Sequence, residues 1–393
     1  MSQQLINLSP DLKKLRDEGY EIEVKHGVYL LIHHVPYMNS SQELKYGTLV
    51  TELTLLSNTR TAMPSNHVIS FIGEHPCNKD GSVIGQISHC AVNGFIREGL
   101  YVNYSFSNKP VNGYADYYEK VTRYIDIISA PVKSLDNSIT AKTFAVVQDE
   151  EYDSVFQYFD TNSSRANIAL INAKFEGQRI GIIGLGGTGA YILDLVAKTQ
   201  VREIHLFDGD EFLQHNAFRS PGAVSSEQLN QKMLKVDYYA EIYGKMHKGI
   251  IAHPQYIDSN NTIQLNQMSY VFLCVDKNRV RKEIMDYLLI KNIPFIDVGL
   301  GVNIVDDKLI GTVRVTTGTP LKNDHLVNRV SGEDNDDNEY ATNIQIADLN
   351  ALNAVMAVMK WKKMIGFYQD LEQEHHSTYS LNVAQLLNDD LAA

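Results

Sequence analysis

The sequence predicts an α/β fold in which a parallel, doubly wound sheet follows a smaller α+β domain. From Arg179 onward, short apolar runs alternate with helical patterns, as they do in a succession of βα units. Before residue 150 the apolar runs are strand-like and are framed by two helical segments, which is typical of α+β packing. The strands of the parallel sheet are predicted at 180–183, 203–207, 270–275 and 294–298, and its first helix at 190–197.

Length and composition fit two domains. The chain has 393 residues, of which 44% are hydrophobic and 21% charged, the balance of a globular protein with sizeable cores. We predict a first domain at residues 1–150, a linker at 151–175 and a second domain at 176–393.

The first domain begins with a helix predicted at residues 9–18, with Ser9 as N-cap and Pro10 at the first helical position. Strand-like runs follow at 21–33, 47–56 and 67–73. A second helix, predicted at 114–128, should pack on these strands through apolar residues at helical spacing. Those residues are Tyr117, Val121, Tyr124, Ile125 and Ile128.

Charge and hydropathy exclude two classes of partner. The net charge is −12, the calculated pI is near 5.5, and we find no local basic patch, so general electrostatic binding of nucleic acid is not expected. Residues 1–7 lack a basic segment followed by an apolar run, and no stretch approaches the roughly 18 apolar residues that span a bilayer. We therefore expect a cytoplasmic protein that does not enter a membrane.

The cysteines indicate neither a disulfide framework nor a zinc site. Cys77, Cys90 and Cys274 are odd in number, widely spaced and without a Cys-x-x-Cys motif. We expect all three to be reduced.

A glycine-rich turn follows the first strand of the second domain. Gly184, Gly186 and Gly189 fit G-x-G-x-x-G, in which the missing side chains let backbone N–H groups and a helix N-terminus approach phosphate oxygens. Asp208 ends the next predicted strand, where a carboxylate accepts hydrogen bonds from ribose hydroxyls. Together they predict a nucleotide site on a Rossmann-like sheet. The alternative is a turn that serves only helix–strand packing, with Asp208 as a cap.

Further residues distinguish this site from a plain dinucleotide-binding domain. In chain order after Asp208 they are Asp210, Asn216, Arg219, Lys235 and Asp276. A hydride-transfer enzyme needs no such series. Attack of a carboxylate on the α-phosphorus of a nucleotide does need cations, because they offset the charge that builds on the phosphoryl oxygens and on the departing pyrophosphate.

This ordered series resembles the ThiF/MoeB-type adenylation domain shared with ubiquitin-activating enzymes, over residues 165–320. The resemblance implies ATP and magnesium as cofactors. Asp208 would hold the ribose, Arg219 and Lys235 the phosphates, and Asp276 the magnesium ion. Lys232 also lies near the expected separation from Arg219, and we prefer Lys235 for its Lys-Val-Asp context. The residues expected at the nucleotide are then Gly184, Gly186, Gly187, Gly189, Asp208, Asp210 and Asn216.

Two further arginines are interpreted differently. Arg165 precedes the first strand, where the family places an arginine that reaches into the partner subunit's ATP site, so the resemblance implies a homodimer. The alternative for Arg165 is a solvated linker residue. Arg281, five residues past Asp276, is predicted to be a charge on a helix surface.

The chain also departs from the family. Ubiquitin-activating enzymes carry a downstream cysteine that takes the activated protein as a thioester, yet no cysteine follows Cys274, which we place in a buried strand. We therefore expect the domain to stop at the acyl adenylate.

The acidic run 331–339 is predicted to be a mobile loop, and 342–368 a long helix used for core or dimer packing. Glu374, His375 and His376, taken as adjacent residues on a helix, are not expected to bind a metal.

The first domain carries a second resemblance. The stretch from His75-Pro76 to Ile84 is similar to the segment that precedes the active cysteine of ubiquitin-conjugating enzymes, but Ile84 occupies the cysteine position. Isoleucine cannot form a thioester, so the resemblance implies a noncatalytic binding module. Cys77 or Cys90 as a substitute nucleophile is the alternative.

The fusion resembles bacterial proteins from operons that also encode ubiquitin-like proteins, some of them linked to antiphage defence. We expect ATP-dependent adenylation of a ubiquitin-like protein's C-terminal carboxylate. Two rival functions stay open: an NAD-dependent oxidoreductase, which would share the glycine turn and Asp208, and a nonenzymatic scaffold that binds ubiquitin-like folds.

Overall fold

In a computed structural model the chain forms two compact units, Met1–Ala173 and Lys174–Ala393. The structure describes residues 2–97, 99–145, 147, 154–166, 168–330 and 344–391. The acidic run 331–339 and the predicted helix start at 342 lie outside the described residues.

The first unit is built on an antiparallel sheet of six strands in the order β1-β2-β3-β6-β8-β7, with a small separate hairpin, β4–β5. Its helix α3 is capped by Asp116, whose side chain accepts from the Glu119 N–H, and the apolar residues predicted for it are buried against the sheet. The strands are β1 Ile22–Lys25, β2 Tyr29–Met38, β3 Leu44–Glu52, β4 Leu55–Ser57, β5 Arg60–Thr61, β6 Val68–Ile72, β7 Ser88–Arg97 and β8 Leu100–Ser107. The helices are α1 Ser2–Leu8, α2 Pro10–Asp17, α3 Tyr117–Lys133, α4 Thr161–Ala166 and α5 Ala169–Asn172.

Two predictions for this unit were incomplete. The run 21–33 is not one strand, because His26 and Gly27 both have positive φ and turn the chain between β1 and β2. The β7–β8 hairpin was not predicted. Its strand β7 forms the sheet edge and is largely exposed, so it lacks the apolar alternation of a half-buried strand.

The second unit confirms the predicted doubly wound α/β fold. Its eight strands follow the order β11-β10-β9-β12-β13-β14-β15-β16, with parallel pairing from β11 to β13 and antiparallel pairing beyond. The chain runs outward from β9 to one side and then to the other, so the carboxyl ends of β9 and β12 flank the switch point at which such sheets bind ligands. The strands are β9 Arg179–Ile183, β10 Glu203–Phe207, β11 Ile250–His253, β12 Tyr270–Leu273, β13 Phe295–Val305, β14 Lys308–Gly318, β15 Glu374–Ser380 and β16 Gln385–Leu391.

Apolar clusters cover both faces of this sheet. On one face α12, Ala347–Met364, packs against α6, Gly187–Val196. The α12 residues in this apolar cluster are Ala354, Ala357, Val358 and Trp361, whereas Met359 is half-exposed. The helices are α6 Gly187–Val196, α7 Gln214–Ala217, α8 Ser226–Asn230, α9 Lys235–Tyr243, α10 Asn278–Ile290, α11 Leu326–Arg329 and α12 Ala347–Met364.

None of the helices in the described part of the chain is long and apolar enough to cross a bilayer.

Lys120, on α3, generates a prediction about pH. Its ammonium group is buried and donates to Thr51 Oγ1 at 2.9 Å and to the Asn66 carbonyl at 3.1 Å. Burial lowers the pKa of Lys120 to about 7, although the charge of Glu52 opposes the shift. Between pH 7 and the ordinary lysine pKa, the unfolded chain holds a proton that the folded chain has released, so stability rises with pH.

We expect the opening free energy of α3 amides, measured by hydrogen exchange of the full chain, to rise by up to about 1.4 kcal/mol per pH unit between pH 7 and 9.5. Lys120→Met should flatten this slope. Lys133→Met, a partly exposed lysine of the same helix, is the control and should keep it. An unchanged slope in Lys120→Met would contradict the assignment.

Candidate functional site

The glycine turn after β9 is packed too closely to carry side chains. Gly184 has φ +88°, and a Cβ placed there would lie 2.5 Å from the Cys274 carbonyl oxygen. A Cβ at Gly189 would lie 1.9 Å from the Gly184 carbonyl oxygen. The turn therefore runs directly under the end of β12 and into the first turn of α6, whose N-cap is Gly186.

Asp208 fixes this turn from the neighbouring strand. The residue is 5% exposed, and its carboxylate accepts from the Leu185 N–H at 2.7 Å and from the Asp210 N–H at 2.8 Å. Each carboxylate oxygen accepts one of these hydrogen bonds and has capacity for another. The predicted ribose-binding carboxylate thus lies at the glycine turn.

Lys235 joins the two aspartates. Its ammonium group donates to Asp210 Oδ2 at 2.6 Å and lies 3.5 Å from Asp208 Oδ2, with a side chain only 8% exposed. Burial would raise the pKa of Asp210, but hydrogen bonds from Lys235 and Tyr256 and the charge of Lys235 outweigh it and hold that pKa below its usual value. Lys232 differs from Lys235 because it lies in a turn with φ +50° before α9.

Asn216 lies in α7, which follows β10, and Arg219 lies just after the end of that helix. Asn216 is buried and its Oδ1 accepts from the Leu213 N–H at 2.9 Å, so this amide caps α7. Arg219 Nε is buried with no hydrogen-bond partner among the described residues. Burial lowers the pKa of Arg219, and the nearby Tyr239 and Asp276 oppose that shift. A half-buried guanidinium with an unused donor is suited to an anionic ligand.

A cavity of about 380 Å³ opens between the first turn of α6 and the ends of β12 and β13. Of the predicted residues, Gly186, Gly187, Gly189 and Asp276 line it. Asp208, Asp210 and Lys235 form the adjoining cluster at the turn. The remaining lining residues include Cys274, Asn278, Arg281, Gly299, Gly301, Thr312, Arg314, Gln345, Asn350 and Asn353.

Arg165 cannot be placed in this site. It belongs to α4 of the first unit, and its side chain lies outside the described residues.

The prediction for Arg281 was wrong. Its side chain is 12% exposed, and its Nε lies 3.2 Å from a carboxylate oxygen of Asp297, which is fully buried on β13. The place of Arg281 in the sequence, five residues after Asp276, does not reveal this pairing, because its partner Asp297 lies on a separate element, β13.

Helix α12 also supplies polar groups that the sequence did not reveal as site residues. The Asn350 Oδ1 accepts from the Thr188 hydroxyl at 3.0 Å, and Asn353 Nδ2 donates to the Gly299 carbonyl at 2.9 Å. Both asparagines are buried on the face of α12 that also buries Ala354, Ala357 and Trp361. The sequence signal that could have identified this face is a pair of asparagines three residues apart in a helix predicted to pack in a core.

Residues 139–389 match the sequence pattern of the ThiF family. The chain belongs to the ThiF family. Residues 10–161 match a domain of unknown function, DUF6791. ThiF membership supports ATP-dependent adenylation of a substrate carboxylate as the activity of the second unit.

Solved structures that match part of the chain share little of its sequence. Escherichia coli MccB in complex with MccA-N7isoASN is 16% identical, with 59% of this chain and 70% of that chain covered and a TM-score of 0.47. E. coli MccB with ATP is 17% identical, covering 59% and 70%, with a TM-score of 0.43. PaaA is 15% identical, covering 73% and 92%, with a TM-score of 0.46. No curated protein sequence matches the chain.

The cysteines of this ThiF protein differ in environment. Cys274 lies under the glycine turn, where burial and then the charge of Asp297 raise the pKa of its thiol, against the opposing charge of Arg281. Burial also raises the pKa of Cys77, whereas Cys90 is exposed on β7. A thiol with a raised pKa is a poor nucleophile at neutral pH.

In the first unit, the stretch from His75 to Ile84 that resembles conjugating enzymes folds back on itself through backbone pairing. Cys77 bridges both Met38 and Val83 through the backbone, and Ile84 is buried. A cavity of about 760 Å³ lies beside it, between residues 78–86 and the second half of α3.

Glu374, His375 and His376 lie on β15 rather than on the helix we expected. Each has its own protein partner. Glu374 accepts from Lys363 at 2.9 Å, His375 Nδ1 lies 2.9 Å from Thr317 Oγ1, and His376 Nδ1 lies 2.9 Å from Thr316 Oγ1. Across the described ranges, no three His, Cys, Asp or Glu side chains group so as to hold a metal ion.

Two glycines allow a matched test of the turn. A Cβ at Gly186 would have no atom within 4 Å, whereas a Cβ at Gly189 would meet backbone at 1.9 Å. We expect Gly189→Ala to lower stability by roughly 1–3 kcal/mol or more, because backbone must shift. Gly186→Ala should keep the melting temperature and weaken ATP binding, because its methyl group would lie where the glycine motif is expected to receive phosphate.

Thermal unfolding and equilibrium ATP binding of the two variants check this prediction. Wild-type ATP affinity in a fully folded Gly186→Ala variant would show that phosphate does not approach the turn there.

Proposed function

We propose that the second unit adenylates the C-terminal carboxylate of a ubiquitin-like protein, consuming magnesium–ATP and releasing pyrophosphate. The observation that carries the proposal is one continuous site. The Asp208-fixed glycine turn, the Asp276 loop and the β13 wall meet around a single cavity. This proposal rests on the family and on the ordered residue series, and the substrate is inferred from the resemblance of the fused domains.

Nucleotide binding follows from the residues at the turn. Asp208 accepts the ribose hydroxyls with the lone pairs that its two backbone hydrogen bonds leave free. Backbone N–H groups of Gly186, Gly187 and Gly189 at the start of α6 approach the phosphates. Arg219, with its unused Nε, and Lys235 supply the positive charge.

The donor set at Asp276 fits magnesium. Asp276 is exposed at the cavity, and the described residues offer no multi-carboxylate cage. Magnesium in nucleotide sites is usually held by one or two carboxylates together with phosphate oxygens and water. Asp276 would hold the ion, which when bound supplies charge that stabilises the leaving pyrophosphate.

The cavity wall on the β13 side suits a peptide tail. Asn353 Oδ1 and Gln345 Oε1 are buried acceptors with no hydrogen-bond partner in the described part of the protein. The Asn353 orientation is fixed, because the Gly299 carbonyl can only accept and therefore needs the amide Nδ2. Backbone N–H groups of an extended tail would satisfy both acceptors, and a buried acceptor left without a donor costs about 1–3 kcal/mol.

The chemistry then needs one displacement. An oxygen of the tail carboxylate attacks the α-phosphorus of ATP, the bond from that phosphorus to the bridging oxygen breaks, and pyrophosphate leaves with the electron pair. The product is an acyl adenylate. Lys235, which Asp210 holds before the reaction begins, and the half-buried Arg219 stabilise the charge that develops on the phosphoryl oxygens.

The acyl adenylate is the final product of this unit in our proposal. Cys274 is partly buried against Gly184 and Gly189 and its thiol pKa is raised, so a separate acceptor takes the acyl group. The first unit binds the substrate or a partner. We further propose a cytoplasmic homodimer in which Arg165 serves the partner subunit's site, acting in a bacterial ubiquitin-like modification or antiphage pathway.

Exchange of labelled pyrophosphate into ATP tests the reaction. With magnesium and a panel of ubiquitin-like proteins, we expect exchange that requires one panel member. Asp276→Ala should abolish it. Lys235→Ala should lower the exchange rate about 100-fold, since one lost charge contact in a transition state costs roughly 3 kcal/mol.

Lys232→Ala is the matched control and should retain exchange, because Lys232 is not held at Asp208 and Asp210. Exchange that survives Asp276→Ala would contradict the proposed magnesium role. Exchange supported by no panel member would leave the proposed substrate class without support.

A further inference from the structure

A buried ion cluster adjoins the cavity, because Arg281 and Arg314, which line it, both pair with Asp297. Asp297, on β13, is 0% exposed and lies between two guanidinium groups. Its Oδ1 is 3.2 Å from Arg281 Nε, and its Oδ2 accepts from Arg314 Nη2 at 2.6 Å. Removing a buried charge from water is costly, so such a cluster persists only where its geometry is fixed.

Arg281 uses its other two nitrogen atoms on the loop that carries Asp276. Nη1 donates to Asn278 Oδ1 at 2.8 Å, and Nη2 donates to the Val275 carbonyl. Val275 and Asn278 lie on either side of Asp276 in the chain. One guanidinium therefore holds both ends of this short segment.

Arg314 connects the same carboxylate to the strands of the cavity wall. Its Nη1 donates to Thr316 Oγ1 at 2.6 Å, and a Cβ at Gly299 would lie 2.8 Å from its Nε. The guanidinium of Arg314 therefore lies directly over Gly299, and β13 pairs with β14 at the point where both line the cavity.

Asp276 itself has little to hold it. Its side chain is exposed, and its carboxylate makes no hydrogen bond with any residue that the structure describes. The position of that carboxylate therefore depends on the backbone of residues 275–278, which Arg281 restrains.

We propose that Asp297 is a positioning residue which, through Arg281, holds the Asp276 carboxylate where it meets the magnesium ion of bound ATP. The inference rests on the proposed function, because it assigns the magnesium role to Asp276. It goes beyond that function by making a buried residue, which touches neither nucleotide nor metal, a determinant of metal affinity. Partners that orient a metal ligand commonly contribute 10–100-fold to metal binding.

The test is a magnesium titration of ATP binding by the full chain, followed with a fluorescent ATP analogue and without any protein substrate. Asp297→Asn keeps the shape of the side chain and removes its charge. We expect the magnesium concentration for half-maximal binding to rise about tenfold or more. Binding in EDTA, which does not involve Asp276, should be unchanged.

Two further variants keep the test decisive. Arg281→Lys retains a positive charge opposite Asp297 but loses the fork that holds Val275 and Asn278, and it should raise the magnesium requirement in the same way. Glu283→Gln is the matched control, because it breaks an exposed arginine–carboxylate pair of the same length, 3.2 Å to Arg279, on the same helix. Thermal unfolding of each variant is measured alongside. If Asp297→Asn does not fold, the magnesium requirement of Arg281→Lys decides the test.

An unchanged magnesium requirement in a folded Asp297→Asn or Arg281→Lys variant would overturn the inference and leave the proposed function standing. Equal loss of binding with and without magnesium would also overturn it, because the cluster would then support the whole site. Wild-type ATP binding that ignores magnesium would overturn both this inference and the magnesium role in the proposed function.

Discussion

The site depends on the contact between the Asp208 carboxylate and two backbone N–H groups. By accepting from Leu185 and Asp210, Asp208 ties the turn after β9 to the end of β10. On its other side the same turn lies against the Cys274 carbonyl at the end of β12, at a distance that only glycine permits at position 184. The start of α6 is thereby fixed to three parallel strands, and its N–H groups point to one place.

The unsatisfied polar atoms of the second unit help to locate its ligand. Folded proteins pair nearly all of their buried polar groups, so those left without partners need an explanation. One of these atoms is Arg219 Nε, in the segment that follows the Asp208 cluster. Two others, Asn353 Oδ1 and Gln345 Oε1, belong to side chains that line the cavity. In the proposed function, the cation donor would meet the phosphates of the nucleotide and the two acceptors on the wall would meet the incoming peptide tail.

The features of the fold and site that could be predicted are those whose sequence signal lies within one short stretch of the chain. The glycine spacing, the acidic strand end at Asp208 and the strand–turn–helix order around 180–207 are local, and they predicted the doubly wound fold correctly. Arg281, Asp297 and Arg314 form a cluster from α10, β13 and β14, and no sequence window contains all three. The same holds for Asn353, whose partner Gly299 is on another element.

The errors have physical causes as well. The run at β7, Ser88–Arg97, gave no alternating strand pattern because this edge strand is exposed along most of its length. The Glu374-His375-His376 segment was taken as helical, whereas its backbone pairs with β14 and β16 and its side chains contact Lys363, Thr317 and Thr316. Tertiary pairing overrode weak local preference in both cases.

Equilibrium binding of ATP and of NAD to the purified chain tests the central claim most directly, with Asp208→Ala measured in parallel. The account predicts that ATP binds in the presence of magnesium, that NAD does not compete with it, and that Asp208→Ala weakens ATP binding at least about tenfold, since charge-assisted hydrogen bonds to ribose contribute roughly 1.5–3 kcal/mol. NAD binding at this site in preference to ATP would contradict the account and indicate a dinucleotide-dependent oxidoreductase, and binding of neither would indicate a scaffold.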